Sequence, residues 1–165
     1  MKSVFFFLLL PFFAPCQTVH IKGAEIDYMG MEKVAGITKA ELYNRMKDAL
    51  ASTIKNYQFI NEDSGDKEEI ALKGAIKLRT PYPVIRSVLY SMKFSITDSG
   101  YTYHIDDVYL SEQQRGEKQV LIPSKELLIK MGESGKPAIE TEQLLNEMDM
   151  NFQKLLAVLR KKILM

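Results

Sequence analysis

In residues 69–79 the large apolar side chains and the charged side chains fall on opposite parities, and this pattern constrains the fold more than any other in the chain. The apolar set is Ile70, Leu72, Ile76 and Leu78, and the polar set is Glu69, Lys73, Lys77 and Arg79. Successive side chains of a β-strand point to opposite faces, so a period of two is typical of a strand with one buried face. The segment is therefore predicted to be a half-buried strand.

Two further segments repeat the alternation. The second places Val88, Tyr90, Met92, Phe94 and Ile96 on one face and Ser87, Ser91, Lys93, Ser95 and Thr97 on the other. The dipeptide Ser99-Gly100 is typical of a turn, and residues 101–105 form a third alternating segment after it. Since antiparallel sheets tolerate one solvated face, the three segments predict an antiparallel meander with one covered face.

Two amphipathic helices are predicted to cover the apolar face of the meander. The first begins at Thr38, which forms the S/T-x-x-E pattern of a capping box with Glu41. The second spans residues 139–163 and carries an apolar stripe from Leu145 to Ile163. We therefore predict an α+β domain with an antiparallel sheet in the order β-α-β-β-β-β-α and with the helices packed on one face.

Shorter elements complete this prediction. Residues 18–29 are predicted to form the first strand, and residues 111–118 are predicted to form a polar loop. Residues 120–122 favour an added edge strand, and Ser124 favours the start of a brief helix over residues 125–131.

The first 16 residues are predicted to lie outside the domain. Residues 4–13 form an apolar run that is shorter than the about 20 residues of a transmembrane helix and is typical of a secretory signal peptide. Cleavage is predicted after Cys16, which would leave a single domain at residues 17–165 that is expected to be exported to the periplasm or cell envelope. A lipid anchor on Cys16 is the alternative, which Pro15 and Phe13 disfavour because they replace the small and Leu-like residues of a lipoprotein signal.

Composition narrows the classes of partner and cofactor. The 22 basic and 21 acidic residues nearly cancel, so there is no electrostatic argument for a nucleic-acid partner. The sequence contains no nucleophile elbow, no phosphate-binding glycine loop and no paired histidine spacing. We therefore predict no cofactor, no metal and no catalytic residue, and no transmembrane helix.

His104, Asp106 and Asp107 are neighbours that suggest acid–base or metal chemistry. With His20 as the only other histidine, they make a poor metal site, and a surface histidine is the favoured interpretation. A small envelope hydrolase that uses Asp106 and Asp107 is the alternative function. A concave pocket holding a carboxylate beside a basic or hydroxyl group would favour it.

Four segments of the chain carry a resemblance to a known family. They are the signal peptide ending in Cys16-Gln17, the helix start Ile37-Thr38-Lys39-Ala40-Glu41-Leu42-Tyr43-Asn44-Arg45, the strand Ile70-Ala71-Leu72-Lys73-Gly74 and the strand Tyr101-Thr102-Tyr103. Over residues 37–112 the chain resembles the domain of unknown function with a TATA-binding-protein-like (TBP-like) fold, common in exported proteins of Bacteroidetes. The resemblance implies a sheet with helices on one face. It implies no activity and no functional residues.

The sheet face opposite the helices is the predicted working surface. Its candidate binding residues are Lys73, Lys77, Arg79, Ser91, Lys93, Thr102 and His104. We expect this face to bind an envelope protein, a peptide or a glycan.

Two other surfaces are considered. Tyr101, Tyr103, Ile105 and Tyr109 share one parity of the third segment, which predicts that they lie on one face. Core packing is favoured for these tyrosines over an aromatic platform on the open sheet. The stripe from Leu145 to Ile163 could pair with a second copy to form a structural homodimer, but closure of the monomer's own core is favoured.

Overall fold

A hairpin of two long antiparallel strands stands at the centre of the fold. In a computed structural model of the chain, which describes residues 18–22, 25–55, 57–59, 68–79, 84–132 and 136–165, residues 84–97 pair with residues 100–114. The elements of the described ranges are β1 Thr18–Lys22, β2 Glu25–Lys33, α1 Lys39–Thr53, β3 Tyr57–Phe59, β4 Glu69–Lys77, β5 Val84–Thr97, β6 Gly100–Gln114, β7 Val120–Pro123, α2 Ser124–Met131 and α3 Lys136–Leu164. The predicted signal peptide, residues 1–16, lies outside the described residues.

The described strands form one antiparallel sheet. Its strand order is β1-β2-β6-β5-β4-β3, and β7 also pairs with β6. β2 pairs with residues 100–105 of β6, and β7 pairs with residues 109–112. Because β5 occupies the other edge of β6, β2 and β7 lie end to end along one edge. Residues 106–108 of β6 lie in the gap between them.

Helices α1 and α3 cover one face of this sheet. The hydroxyl of Thr38 caps α1 by accepting a hydrogen bond from the backbone N–H of Glu41, at 3.3 Å. The buried residues of the two helices are Leu42, Met46, Ala49 and Leu50 in α1 and Met148, Phe152, Leu156, Leu159 and Ile163 in α3. These residues pack with the apolar parity of β4 and β5, as predicted. The α+β class and the helices on one face are confirmed.

The apolar stripe of the C-terminal helix closes the core of the monomer. Phe152 is fully buried, and its ring lies 4.8 Å from the ring of Tyr28 and 5.2 Å from that of Tyr90, between centroids. The stripe that was considered as a dimer contact is therefore buried inside one chain, which agrees with the favoured interpretation. The helix itself begins at Lys136, three residues before the predicted start.

A β-bulge in β6 reverses the parity of the third strand. Leu89 pairs with Tyr109 and Ser91 pairs with Asp106, so Tyr90 alone faces two residues, Asp107 and Val108. Asp107 has a φ of 49°, a backbone conformation that accommodates the extra residue.

The sequence predicts that four residues of β6 share one face. The bulge makes this prediction wrong for Tyr109. Tyr101, Tyr103 and Ile105 are buried in the core, as the favoured interpretation has it. Tyr109 lies on the opposite face with 38% of its surface exposed, because the inserted residue turns every later side chain over.

A glycine within β4 makes room for a buried tyrosine. A Cβ atom on Gly74 would stand 2.5 Å from the hydroxyl oxygen of Tyr90, so any other residue here would displace the tyrosine ring. The ring of Tyr90 therefore lies over the glycine backbone, and burial raises the pKa of its hydroxyl to about 12.

Three shorter elements differ from their predictions. The predicted first strand over residues 18–29 is a hairpin of two strands, β1 and β2. β6 continues to Gln114 through the start of the predicted loop. Ser124 does not cap α2, since Pro123 is the N-cap residue and the Ser124 hydroxyl instead accepts a hydrogen bond from the backbone of Ile26, at 3.3 Å.

Candidate functional site

The open face is the sheet surface turned away from α1 and α3. Directly paired residues share a face, so the strand register gives the rows that cross it. One row joins Lys73, Ser91 and Asp106, and a neighbouring row joins Lys93 and His104. The predicted binding residues on this face are Lys73, Lys77, Ser91, Lys93, Thr102 and His104. Arg79 lies two residues beyond the end of β4.

These residues form several small groups rather than one cluster. The ammonium group of Lys93 pairs with the carboxylate of Glu69 at 2.9 Å. Lys73 and Lys77 are exposed, and no carboxylate in the described part of the chain pairs with either of them. The backbone N–H of Arg79 donates to Glu147 of α3 at 2.8 Å, which fixes the chain where it leaves β4.

His104 lies between two carboxylates. Its Nε2 atom is 3.5 Å from Asp27 Oδ2, and its Nδ1 atom is 3.4 Å from Asp106 Oδ2. Asp27 belongs to β2 and Asp106 to the same strand as His104, so pairing of β2 with β6 assembles the group. The neighbouring Asp107 carboxylate accepts a hydrogen bond from the Ser91 hydroxyl at 3.1 Å.

The gap between β2 and β7 forms a small pocket beside His104. Its volume is about 280 Å³, and it holds Asp27, Asp106 and Asp107 together with Ser124 and Lys125 at the start of α2. The hydrogen bond from the backbone N–H of Ile26 in β2 to the Ser124 hydroxyl connects α2 to one end of the gap. The structure thus provides a concave pocket with carboxylates beside a histidine, a hydroxyl group and an ammonium group.

Burial raises the pKa of Asp106 above the ordinary value of an aspartate. The partial loss of water around the carboxylate is the main cause; Asp107 and Asp27 raise it further, whereas His104 lowers it. A carboxyl group that holds its proton more tightly is suited to act as a general acid. Within the described residues, no three His, Cys, Asp or Glu side chains converge closely enough to hold a metal ion.

Sequence reasoning missed Asp27, which lies in another strand and carries no motif. It also missed an apolar row on the open face, in which Leu89 pairs with both Ala75 and Tyr109. One signal was present in the sequence. Apolar residues recur two apart up to Ile105 and then resume at Val108, three residues on, which is the spacing that a bulge produces.

The sequence profile of a domain of unknown function (DUF4468) with TBP-like fold matches residues 28–111, about half of the chain. The chain belongs to the DUF4468 family. The resemblance inferred from residues 37–112 is therefore confirmed.

Two solved structures share the fold of this DUF4468 domain. A TBP-like protein from Parabacteroides distasonis ATCC 8503 superposes with a TM-score of 0.71 at 14% identity, over 88% of this chain and 96% of that protein. A DUF4468 family protein from Bacteroides ovatus ATCC 8483 gives a TM-score of 0.66 at 11% identity, over 88% and 90% of the two chains. No curated protein sequence matches the chain.

The family and the fold leave the activity of this DUF4468 domain to be inferred from its own surfaces, because fold does not imply function. None of the described helices combines the length and the apolar character needed to cross a membrane. The candidate surfaces are the open face and the pocket in the gap between β2 and β7.

Proposed function

We propose that this DUF4468 domain is an exported binding module of the cell envelope that holds an envelope protein, a peptide or a glycan on its open face. The observation that supports this proposal is the uncovered sheet. The described helices that pack on the sheet do so through its apolar side, whereas Lys73, Lys77 and Lys93 extend from the other side into solvent. The signal peptide predicted at residues 1–16 supports export.

The chemistry of the open face favours binding of a polar or amphipathic partner. Cationic, hydroxyl and amide groups alternate with Ala75, Leu89 and Tyr109, so the face offers both hydrogen bonds and apolar contact. Nucleic acid is not the proposed partner, because the chain has a formal net charge of only +1.

Reversal of charge on the open face tests this function. In a pull-down from envelope extract, the double variant Lys77→Glu, Lys93→Glu used as bait should retain much less of an envelope partner than the wild-type chain does. The wild-type chain, used as bait in parallel, is the control. Its Tm should change little, since both side chains are exposed and the Lys93–Glu69 pair contributes about 0–1 kcal/mol at a surface. An envelope partner retained at full yield by the double variant would refute the proposal.

The pocket in the gap supports a second candidate, a small hydrolase in which Asp106 is the general acid. The observation that favours it is the raised pKa of Asp106, whose carboxylate lies 3.4 Å from the Nδ1 atom of His104 in the pocket. Asp106→Asn should then abolish turnover of chromogenic ester or glycoside substrates, whereas Asp98→Asn in the hairpin turn should leave it unchanged. Equal rates for Asp106→Asn and the wild type would exclude this candidate.

A further inference from the structure

Two depressions follow one another along the open face. The first, about 690 Å³, is lined by residues 73–75 and 89–91, by Asp107 and Tyr109, and by Lys55, Tyr57 and Gln58. The second, about 770 Å³, is lined by residues 77–79, 84–86 and 113–116. Because successive stretches of β4, β5 and β6 line both, we treat them as one surface, named here the basic groove. Along β5 it extends from Ser91 to Val84, about 23 Å at the rise of an extended strand.

Cations dominate the lining of the basic groove. Its cationic residues are Lys55, Lys73, Lys77, Arg79, Arg86 and Arg115, whereas its acidic residue is Asp107. Arg86 has the parity of the buried Val88, and its guanidinium group pairs with Glu112 on the helix side of the sheet. The Asp107 carboxylate accepts a hydrogen bond from the Ser91 hydroxyl. No described carboxylate pairs with Lys55, Lys73, Lys77 or the guanidinium group of Arg79. In a chain whose charges nearly cancel, this local excess is complementary to an anionic ligand.

The floor of the groove is apolar. Ala75, Leu89 and Tyr109 lie side by side in cross-strand register, and Ile85 is 60% exposed near the far end. A polyphosphate or an acidic glycan would bring carboxylates or phosphates to the lysines but no aliphatic side chains to the floor. A polypeptide can supply both.

The spacing along β4 specifies the conformation of such a polypeptide. Lys73, Ala75 and Lys77 are successive open-face residues of one strand, so the two cations stand about 13 Å apart with a small apolar residue between them. An extended chain lying along β4 repeats this spacing at residues i, i+2 and i+4. Carboxylates at i and i+4 would meet the two lysines, and an apolar side chain at i+2 would contact the floor.

We infer that the basic groove binds an extended, acidic segment of a partner polypeptide, with carboxylate side chains four residues apart and an apolar side chain midway between them. This inference rests on the proposed use of the open face and names the chemistry of its partner.

Selection of a random peptide display library on the full mature chain tests the inference. The enriched peptides should share the spacing of acidic, apolar and acidic residues at i, i+2 and i+4. Binding of one such synthetic peptide, followed by fluorescence anisotropy, should weaken about tenfold or more in Lys73→Glu, Lys77→Glu and should weaken with added salt. The matched control Lys154→Glu, Lys161→Glu reverses two exposed charges on α3 and should bind the peptide as the wild type does.

A charge-swapped peptide separates complementarity from damage to the fold. With lysine at i and i+4, it should bind Lys73→Glu, Lys77→Glu and should not bind the wild type. Enriched peptides without acidic residues, or equal affinity of the acidic peptide for the wild type and the Lys73/Lys77 variant, would overturn the inference. So would saturable binding of polygalacturonate in the groove without binding of the peptide.

The outcomes also separate this inference from the proposed function. Loss of envelope capture in Lys77→Glu, Lys93→Glu without any peptide binding would retain the open-face function and reject the acidic peptide. Peptide binding that depends on Lys73 and Lys77, together with undiminished envelope capture by the Lys77/Lys93 variant, would support the groove and reject the envelope function.

Discussion

At the scale of single residues, Asp106 shows how a neighbourhood changes an ordinary side chain. It directly follows the Tyr28–Ile105 pair at the end of the β2–β6 ladder. The carboxylates of Asp27 and Asp107 repel the charge of its own carboxylate. Partial burial of a carboxylate among other carboxylates disfavours its charged form. The same feature that makes Asp106 a candidate acid therefore makes its charge unfavourable for folding.

The pH dependence of stability follows from the direction of this shift. A carboxyl group with a higher pKa in the folded state binds protons more readily there, so its effect on stability becomes more favourable as the pH falls through that pKa. Asp106→Asn should therefore have a higher Tm than the wild type at neutral pH, and the difference should diminish in acid. Thermal melts across a pH series measure this.

Asp98→Asn is the control for the melts, since Asp98 is exposed in the β5–β6 turn and should change the Tm little at any pH. A wild type more stable than Asp106→Asn at neutral pH would contradict the assignment of burial as the main cause.

At the scale of elements, α3 connects strands from distant parts of the described chain. Its apolar stripe runs through the described core and meets β2 and β5 through Phe152. A 29-residue helix with one buried stripe draws its stability from that packing more than from helix propensity. Removal of a central side chain should therefore destabilise the whole domain.

Phe152→Ala is expected to lower the free energy of unfolding by about 3–5 kcal/mol, because it leaves a cavity between two aromatic rings. Met150→Ala lies on the same helix at 64% exposure and should change it by less than about 0.5 kcal/mol. Chemical denaturation of both variants measures the two free energies of unfolding. A similar loss of unfolding free energy in the two variants would show that α3 does not pack through its apolar stripe.

At the scale of the whole molecule, charge is segregated although its sum is close to zero. Unpaired lysines lie along β4, whereas Asp27, Asp106 and Asp107 collect at the gap between β2 and β7. The net charge of the chain reveals neither region, because it sums the charges of the whole surface, whereas a partner contacts only a part of that surface. The sheet face that the helices leave open therefore carries two chemically distinct regions, one with unpaired lysines and one with three aspartates beside a histidine.

The sequence by itself determined which face of β4 and β5 is buried, which face of β6 is buried as far as Ile105, and where α1 begins. Strand alternation in residues 69–79, the spacing of apolar residues in α3 and the cap at Thr38 are local patterns, and each depends on residues a few positions apart. Six of the seven predicted binding residues lie on the open face for the same reason.

Only the tertiary structure decided how these local elements combine into candidate sites. The bulge at Asp107 turned Tyr109 to the open face, and the end-to-end placement of β2 and β7 left a gap beside Asp106. Asp27 reached His104, and Lys55 reached the basic groove, through contacts between segments far apart in the chain. Periodicity cannot encode such contacts, because register and strand order are set by the packing of the whole sheet.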